Sequence, residues 1–106
     1  MLSFHQWDLK TITKDKLFGL VSDAITKQLD EVDKANVKME AHLVQDFEAD
    51  SVDVVSMMLS MEAIFKDQLT ATNTKVPMDK LSKVQTVKDL FDLMHDVVAE
   101  VESKSK

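Results

Sequence analysis

Hydrophobic residues recur at helical spacing in three stretches of the chain. The first runs from Leu17 to Val32, the second from Ser51 to about Asp67, and the third from Val87 to Val101. In the third stretch the apolar residues share one face and charged residues hold the other, as in an amphipathic helix packed on a core. Thr86, followed three positions later by Asp89, predicts a capping box before this helix. The pattern therefore predicts three main helices.

The segments between these helices differ in character. Asp33–Val44 is a long connection, in which we expect Val37 and Leu43 to be buried anchors. Leu69–Lys75 is polar and rich in threonine, which predicts a loop. Pro77 suits the first position of a short helical turn that would run through Leu81. We therefore predict an all-α fold: a small four-helix bundle of three main helices and one short helix, with a long loop between the first and second.

The size and composition of the chain agree with this fold class. One glycine, one proline, no cysteine and little strand-like alternation favour helices. A length of 106 residues suits a single domain, 1–106, and no internal repeat is present. We interpret 1–13 as an extra N-terminal segment and 102–106 as a frayed tail. Phe4 and Trp7 predict that the N-terminal segment either folds back on the bundle or contacts a partner.

The middle helix has two separate apolar surfaces when it is projected at 100° per residue. The predicted core face comprises Val54, Met57, Met58, Met61, Ile64 and Phe65. A second, narrow stripe, here called the outer stripe, comprises Val52, Val55 and Leu59. A simple bundle does not need this stripe, which begins next to Ser51. It is either an exposed docking surface or a surface covered by the N-terminal segment or the long loop.

The charge of the chain limits its possible partners. The formal net charge is -6, and every cation is a lysine. This composition argues against nucleic acid and favours a basic protein surface as partner. No signal peptide or membrane-spanning stretch is recognisable, so we expect the protein in the cytoplasm, or in an organelle matrix if a transit peptide has been removed. Nothing in the sequence demands more than a monomer, which is the state we expect.

The residues that a metal site or a catalytic site would need are missing from the sequence or are not grouped in it. Without cysteine there is no disulfide, thiol nucleophile or thiolate site. The acidic run from Asp46 to Asp50 lacks the glycine and the final glutamate of a calcium loop, since Ser51 and Met57 take those positions. The three isolated histidines, interpreted as solvated, are His5, His42 and His95. No nucleophile has a recognisable base, so the sequence predicts neither a metal site nor an enzyme.

Ser51 follows Asp50 directly and opens the apolar middle helix. Both residue types are favoured as helix caps, and a helix N-terminus also attracts phosphoryl groups. The order of elements is helix, long loop, Asp-Ser, apolar helix, proline-led turn and final helix. This order resembles the acyl carrier protein family, whose motif reads Gly-x-Asp-Ser-Leu. The resemblance covers Leu17–Val98, and it is densest from Leu43 to Phe65 and again over Lys83–Val87.

The resemblance implies a function. Ser51 would carry a 4'-phosphopantetheine arm, added by a separate phosphopantetheinyl transferase, with Asp50 beside it. The arm's thiol would hold acyl or related intermediates as thioesters and deliver them to enzymes of fatty acid, polyketide or related biosynthesis. The outer stripe would dock these enzymes, and Asp50, Asp53 and Glu62 would meet their basic patches. The residues equivalent to the family's acyl pocket are Leu43, Met61, Phe65, Val76, Val84 and Leu90.

The chain also departs from the family pattern. Glu48 stands in the position of the family's glycine, so a turn that relies on positive φ would have to be rebuilt. Val52 replaces leucine, and several extra residues separate Phe65 from Pro77. These departures indicate a specialised carrier with dedicated partners. The alternative is an unmodified helical interaction or regulatory module, in which Ser51 is only a helix N-cap.

Overall fold

The computed structural model describes residues 13–104, which form a helical bundle. Its elements are α1 (Lys14–Gln28), a 3₁₀ helix (Lys34–Asn36), α2 (Ser51–Ile64), α3 (Lys66–Ala71), a second 3₁₀ helix (Met78–Lys83) and α4 (Val87–Lys104). The described part contains no strand, only an isolated bridge between His42 and Thr86. The predicted all-α class is confirmed. Phe4, Trp7 and the rest of the segment before Thr13 lie outside the described residues.

Helix α1 is capped by Thr13, which the sequence analysis assigned to the N-terminal segment. The Thr13 hydroxyl accepts the Lys16 N–H at 3.2 Å and so caps the first turn. The helix ends where the N–H of Leu29 donates to the Ile25 carbonyl at 2.8 Å. Its buried face comprises Leu17, Leu20, Val21, Ser22, Ala24 and Ile25. The predicted first helix is thus confirmed, although Val32 lies beyond its end.

Helix α4 begins with the predicted capping box. The Asp89 N–H donates to the Thr86 hydroxyl at 3.1 Å, and the Thr86 N–H donates to the Asp89 carboxylate at 3.1 Å. The helix continues to Lys104, so 102–104 belongs to α4, and fraying of 102–106 stays a prediction. Burial of Val101 and an ion pair of 2.8 Å between Lys104 and Glu100 hold this last turn. Residues 105–106 lie outside the described part.

The predicted loop Leu69–Lys75 is wrong at its start, because helix α3 extends to Ala71. Leu69 is only 5% exposed and anchors α3 on the core. Thr72 ends the helix, and its hydroxyl donates to the Gln68 carbonyl at 2.8 Å. Burial of one leucine therefore overrides the low helix propensity of the threonines, which alone suggested a loop.

The long loop and the turn after Pro77 behave largely as predicted. Val37 and Leu43 are buried, which confirms them as anchors of the long loop. The N–H of Leu43 donates to the Gln85 carbonyl at 2.8 Å, which ties the loop to the segment before α4. The short turn after Pro77 is a 3₁₀ helix, and it continues past Leu81 to Lys83.

The predicted core face of α2 is confirmed except at Ile64, the last residue of the helix. Ile64, predicted to be buried, is 44% exposed. It lies at the edge of the core face and lines the groove that α2 forms with α1, whereas the next residue, Phe65, turns fully inward. No helix within residues 13–104 has the length and apolar character needed to cross a bilayer.

Candidate functional site

Ser51 is the first residue of α2, and its side chain is exposed. The residue that caps the helix is Asp50, whose carboxylate accepts the Asp53 N–H at 2.9 Å. The Asp53 carboxylate in turn accepts the Asp50 N–H at 3.1 Å, which completes a capping box. Within residues 13–104 the Ser51 hydroxyl forms no hydrogen bond. The N-cap is therefore Asp50, and only the part of the alternative that made Ser51 the cap is wrong.

The turn before Ser51 contains a residue with a left-handed backbone conformation, although that residue is not a glycine. Glu48 has φ 59°, so the expectation that this turn would be rebuilt is wrong. The conformation costs a residue with a Cβ atom on the order of 1 kcal/mol. Hydrogen bonds from the Glu48 N–H to the Val44 carbonyl at 2.9 Å and from the Ala49 N–H to the Leu43 carbonyl at 3.0 Å hold it.

His42 organises the beginning of the same turn. Its Nδ1 accepts the N–H groups of Val44 at 3.2 Å and Gln45 at 3.1 Å. Its own N–H donates to the Asp46 carboxylate at 2.7 Å. His42 is half-buried, so interpreting it as a solvated histidine is wrong, because its ring replaces a backbone acceptor.

The other residues considered for metal chemistry are not assembled into a site. His95 is half-buried and stacks on Phe91, with ring centroids 6.0 Å apart, and His5 lies outside the described residues. Across residues 13–104 no group of three potential ligands could hold a metal ion.

Helix α1 supports the site from the side. The Gln28 amide Nε2 donates to Asp53 Oδ1 at 3.0 Å, so the end of α1 lies against the start of α2. This bond, followed by the bond from the Asp50 N–H, lowers the pKa of the Asp53 carboxyl below its ordinary value. Asp53, predicted to meet basic patches on partners, thus already has two donors within the chain.

The outer stripe is exposed and not covered by the long loop. Val52 is 68%, Val55 36% and Leu59 48% exposed. Glu62 is half-buried and, with Leu59, lines a surface cleft. The described residues thus present a continuous apolar surface that starts at the exposed serine. That partners bind Val52, Asp53, Val55, Leu59 and Glu62 stays a prediction.

The predicted acyl-pocket residues come together, but they form a closed core. Leu43, Met61, Phe65, Val76 and Leu90 are buried, and Val84 is partly buried against them. None of them lines the three surface clefts described for residues 13–104. Four of the six, Leu43, Met61, Phe65 and Leu90, are fully buried, so the space between them is filled by their own atoms.

The start of α2 suits a phosphodiester on Ser51. The capping box satisfies the amides of Asp50 and Asp53, and the Val54 N–H donates to the Asp50 carbonyl at 3.2 Å. The amides of Ser51 and Val52 remain without a backbone acceptor, as at any helix N-terminus. These two donors and the positive end of the helix dipole favour an anion at the serine oxygen.

Comparisons with known proteins identify the family. The chain is 35% identical over 74 residues to an acyl carrier protein of Syntrophobacter fumaroxidans, covering 70% of this chain and 82% of the relative. It is 34% identical over 80 residues to an acyl carrier protein of Helicobacter acinonychis, covering 76% of this chain and 92% of the relative. A similar protein of Phytoplasma mali is 30% identical over 82 residues, 77% of this chain and 88% of the relative. No family model matches the chain. The chain belongs to the acyl carrier protein family.

Sequence reasoning placed Ser51 at the start of the helix but missed its supporting residues. The spacing of Asp50 and Asp53, an acceptor followed three positions later by another, is a recognisable capping signal. The contact from Gln28 has no such signal, because 25 residues separate it from Asp53 in the chain.

Proposed function

We propose that this protein carries acyl or related groups on a 4'-phosphopantetheine arm attached to Ser51. One observation carries the proposal: the Ser51 hydroxyl is exposed at the start of α2, and Asp50 has taken over the capping role. An unused, solvent-facing hydroxyl at this position has no structural task within the described chain. The relatives named as acyl carrier proteins support the same role.

The arm, the helix amides and the capping box each contribute to this function. Once attached, the arm supplies the thiol that holds an acyl group as a thioester, because the chain has no cysteine. The amides of Ser51 and Val52 stabilise the phosphodiester. The capping box between Asp50 and Asp53 keeps the serine oriented toward solvent. The protein itself performs no catalysis.

The partners follow from the surface around Ser51. A phosphopantetheinyl transferase would add the arm, and enzymes of fatty acid, polyketide or related biosynthesis would use the loaded carrier. Val52, Val55 and Leu59 supply an apolar contact, and Asp50 and Glu62 face basic residues of the partner. Contacts of this kind raise association rates without creating a long-lived complex. We place the protein in the cytoplasm or in an organelle matrix.

The acyl chain, if sheltered, would enter the closed core. Met61 and Phe65 would have to move to admit it, together with Leu43, Val76, Val84 and Leu90. The unbranched, flexible side chain of methionine makes such rearrangement cheaper than in a core of branched residues.

Modification in cells tests the proposal directly. The protein is co-expressed with a broad-specificity phosphopantetheinyl transferase, and its intact mass is measured. We expect a gain of one arm in the wild type and in Ser60→Ala, a control on the same helix. Ser51→Ala should show no gain. A folded wild type that several transferases leave unmodified would instead support an interaction module.

A further inference from the structure

Helix α3 and the turn after it form a cleft at the far end of the outer stripe. The cleft has a volume of about 530 Å³. Its apolar lining comes from Leu59, Ala63 and Leu69, and Leu59 is also the last residue of the outer stripe. The cleft therefore continues the stripe onto a segment that lies between Phe65 and Pro77, where this chain has its extra residues.

The charge on this surface reverses along its length. Around Ser51 the charged residues are Glu48, Asp50 and Asp53, and residues 39–65 contain no lysine. The cleft is lined by two lysines, Lys66 and Lys75, against the single carboxylate of Glu62. A partner that matches the whole surface would therefore be basic opposite Asp50 and Glu62 and acidic opposite Lys66 and Lys75.

The two lysines of the cleft are free to meet an external anion. Both are exposed, and in the described part of the chain neither forms a salt bridge. Three other lysines of the described part are paired: Lys34 with Asp23, Lys88 with Asp92 at 2.7 Å, and Lys104 with Glu100 at 2.8 Å. Unpaired cations beside an apolar cleft favour a ligand that carries both carboxylates and an apolar group.

The wall of the cleft is held by several bonds. The hydroxyls of Thr72 and Thr74 lie 2.8 Å apart in a hydrogen bond, and the Thr74 N–H donates to the Leu69 carbonyl at 2.9 Å. The Lys104 ammonium of α4 donates to the Asn73 carbonyl at 3.2 Å, which ties the turn to the bundle. A wall fixed in this way reduces the entropy lost on binding.

We propose that this cleft docks an acidic segment of a partner enzyme. An apolar side chain of that segment packs against Leu59 and Leu69, and flanking carboxylates face Lys66 and Lys75. The inference rests on the carrier function proposed above, since it names the chemistry of a second contact made by the enzymes that use the carrier. Dedicated partner enzymes would make this second contact, whereas other enzymes would offer only a basic patch.

A peptide titration followed by NMR tests the cleft. The probes are two synthetic peptides, one with leucines flanked by glutamates and one in which lysines replace the glutamates. We expect the acidic peptide to shift the amide signals of Leu69, Thr70 and Lys75, and added salt to weaken this effect. The basic peptide should shift the signals around Asp50 instead. No shift at the cleft with the acidic peptide would overturn the inference.

Charge-reversal variants provide a second test of the cleft. Lys66→Glu combined with Lys75→Glu should weaken binding of the acidic peptide by about tenfold, since two favourable charge contacts become repulsive. Lys27→Glu combined with Lys38→Glu makes the same change in net charge outside the cleft and should leave affinity within about twofold of the wild type. Equal losses in both variants would show a nonspecific charge effect and contradict the proposed site.

The same variants separate this inference from the proposed function. Ser51 lies at the opposite end of α2, so the Lys66→Glu and Lys75→Glu variant should still gain one arm in the intact-mass experiment. Modification without cleft binding would overturn only the docking inference. Cleft binding by a protein that is never modified would overturn the carrier function and leave the acidic-peptide site standing.

Discussion

The amide of Gln28 and the carboxylate of Asp53 join the end of α1 to the start of α2 through a hydrogen bond of 3.0 Å. The other oxygen of Asp53 accepts the N–H of Asp50, so one carboxylate connects α1 with the turn that carries Ser51. Because α1 is packed into the core through residues such as Val21 and Ile25, this connection fixes the exposed serine relative to the body of the bundle.

Substitution of Asp50 separates its capping role from its charge. Asp50→Ala removes the acceptor for the Asp53 N–H, and we expect it to lower the free energy of unfolding by about 1 kcal/mol. Asp50→Asn keeps an acceptor and should retain most of the stability while removing the charge. Denaturant unfolding measures the first effect, and the rate of transferase modification measures the second. A large loss of stability in Asp50→Asn would contradict the assignment of the cap.

Substitution of Glu48 tests the left-handed turn. Glu48→Gly should raise the free energy of unfolding by about 0.5–1 kcal/mol, because glycine adopts φ 59° without a Cβ clash but loses more entropy on folding. Glu48→Gln removes the same charge and keeps the Cβ atom, so it should give no comparable gain. Thermal unfolding of the two variants side by side decides the point; equal gains would indicate that charge, and not backbone conformation, is responsible.

Two substitutions on opposite faces of α2 test the outer stripe. Leu59→Glu should change the free energy of unfolding by less than about 0.5 kcal/mol, because the side chain is 48% exposed. Met61→Ala, in the closed core, should cost about 2–5 kcal/mol. Circular dichroism with urea measures both. Unfolding of Leu59→Glu would show that the stripe is covered, whereas reduced use by partner enzymes with the fold intact would support docking.

The capping carboxylates predict a loss of stability in acid. Asp53 and Asp89 both have a pKa below the ordinary 3.8, so each favours the folded state when ionised. Their contribution is fully present above that value and disappears as the pH falls through the lower pKa of the folded protein. We therefore expect the melting temperature to decline below about pH 4.

Asp89→Asn isolates one of these carboxylates. A single oxygen of Asp89 accepts the N–H groups of Gln85 at 3.0 Å and Thr86 at 3.1 Å, so an amide oxygen can take its place without ionising. The variant should fold at neutral pH and lose less stability in acid than the wild type. Asp96→Asn, on the exposed face of the same helix, is the matched control. An unchanged acid profile in Asp89→Asn would contradict the prediction.

Local patterns in the sequence were enough to place the main helices and the exposed serine. The apolar face of α4 is buried as its spacing predicts, and the capping box of Thr86 and Asp89 forms because its partners are three residues apart. The outer stripe was visible for the same reason, since a helix places residues of known spacing on known faces. These features depend on neighbours within about one turn of the chain.

Features that depend on distant neighbours were decided only by the tertiary structure. Leu69 makes α3 helical because the core accepts its side chain, which threonine-rich local sequence does not indicate. Glu48 takes a left-handed conformation because bonds to Val44 and Leu43 hold the turn around it. The support of Asp53 by Gln28 and the cationic cleft beyond Leu59 likewise arise where separate elements meet. Burial and bonding between remote segments can outweigh local preferences of about 1 kcal/mol, so these features could not be read from spacing alone.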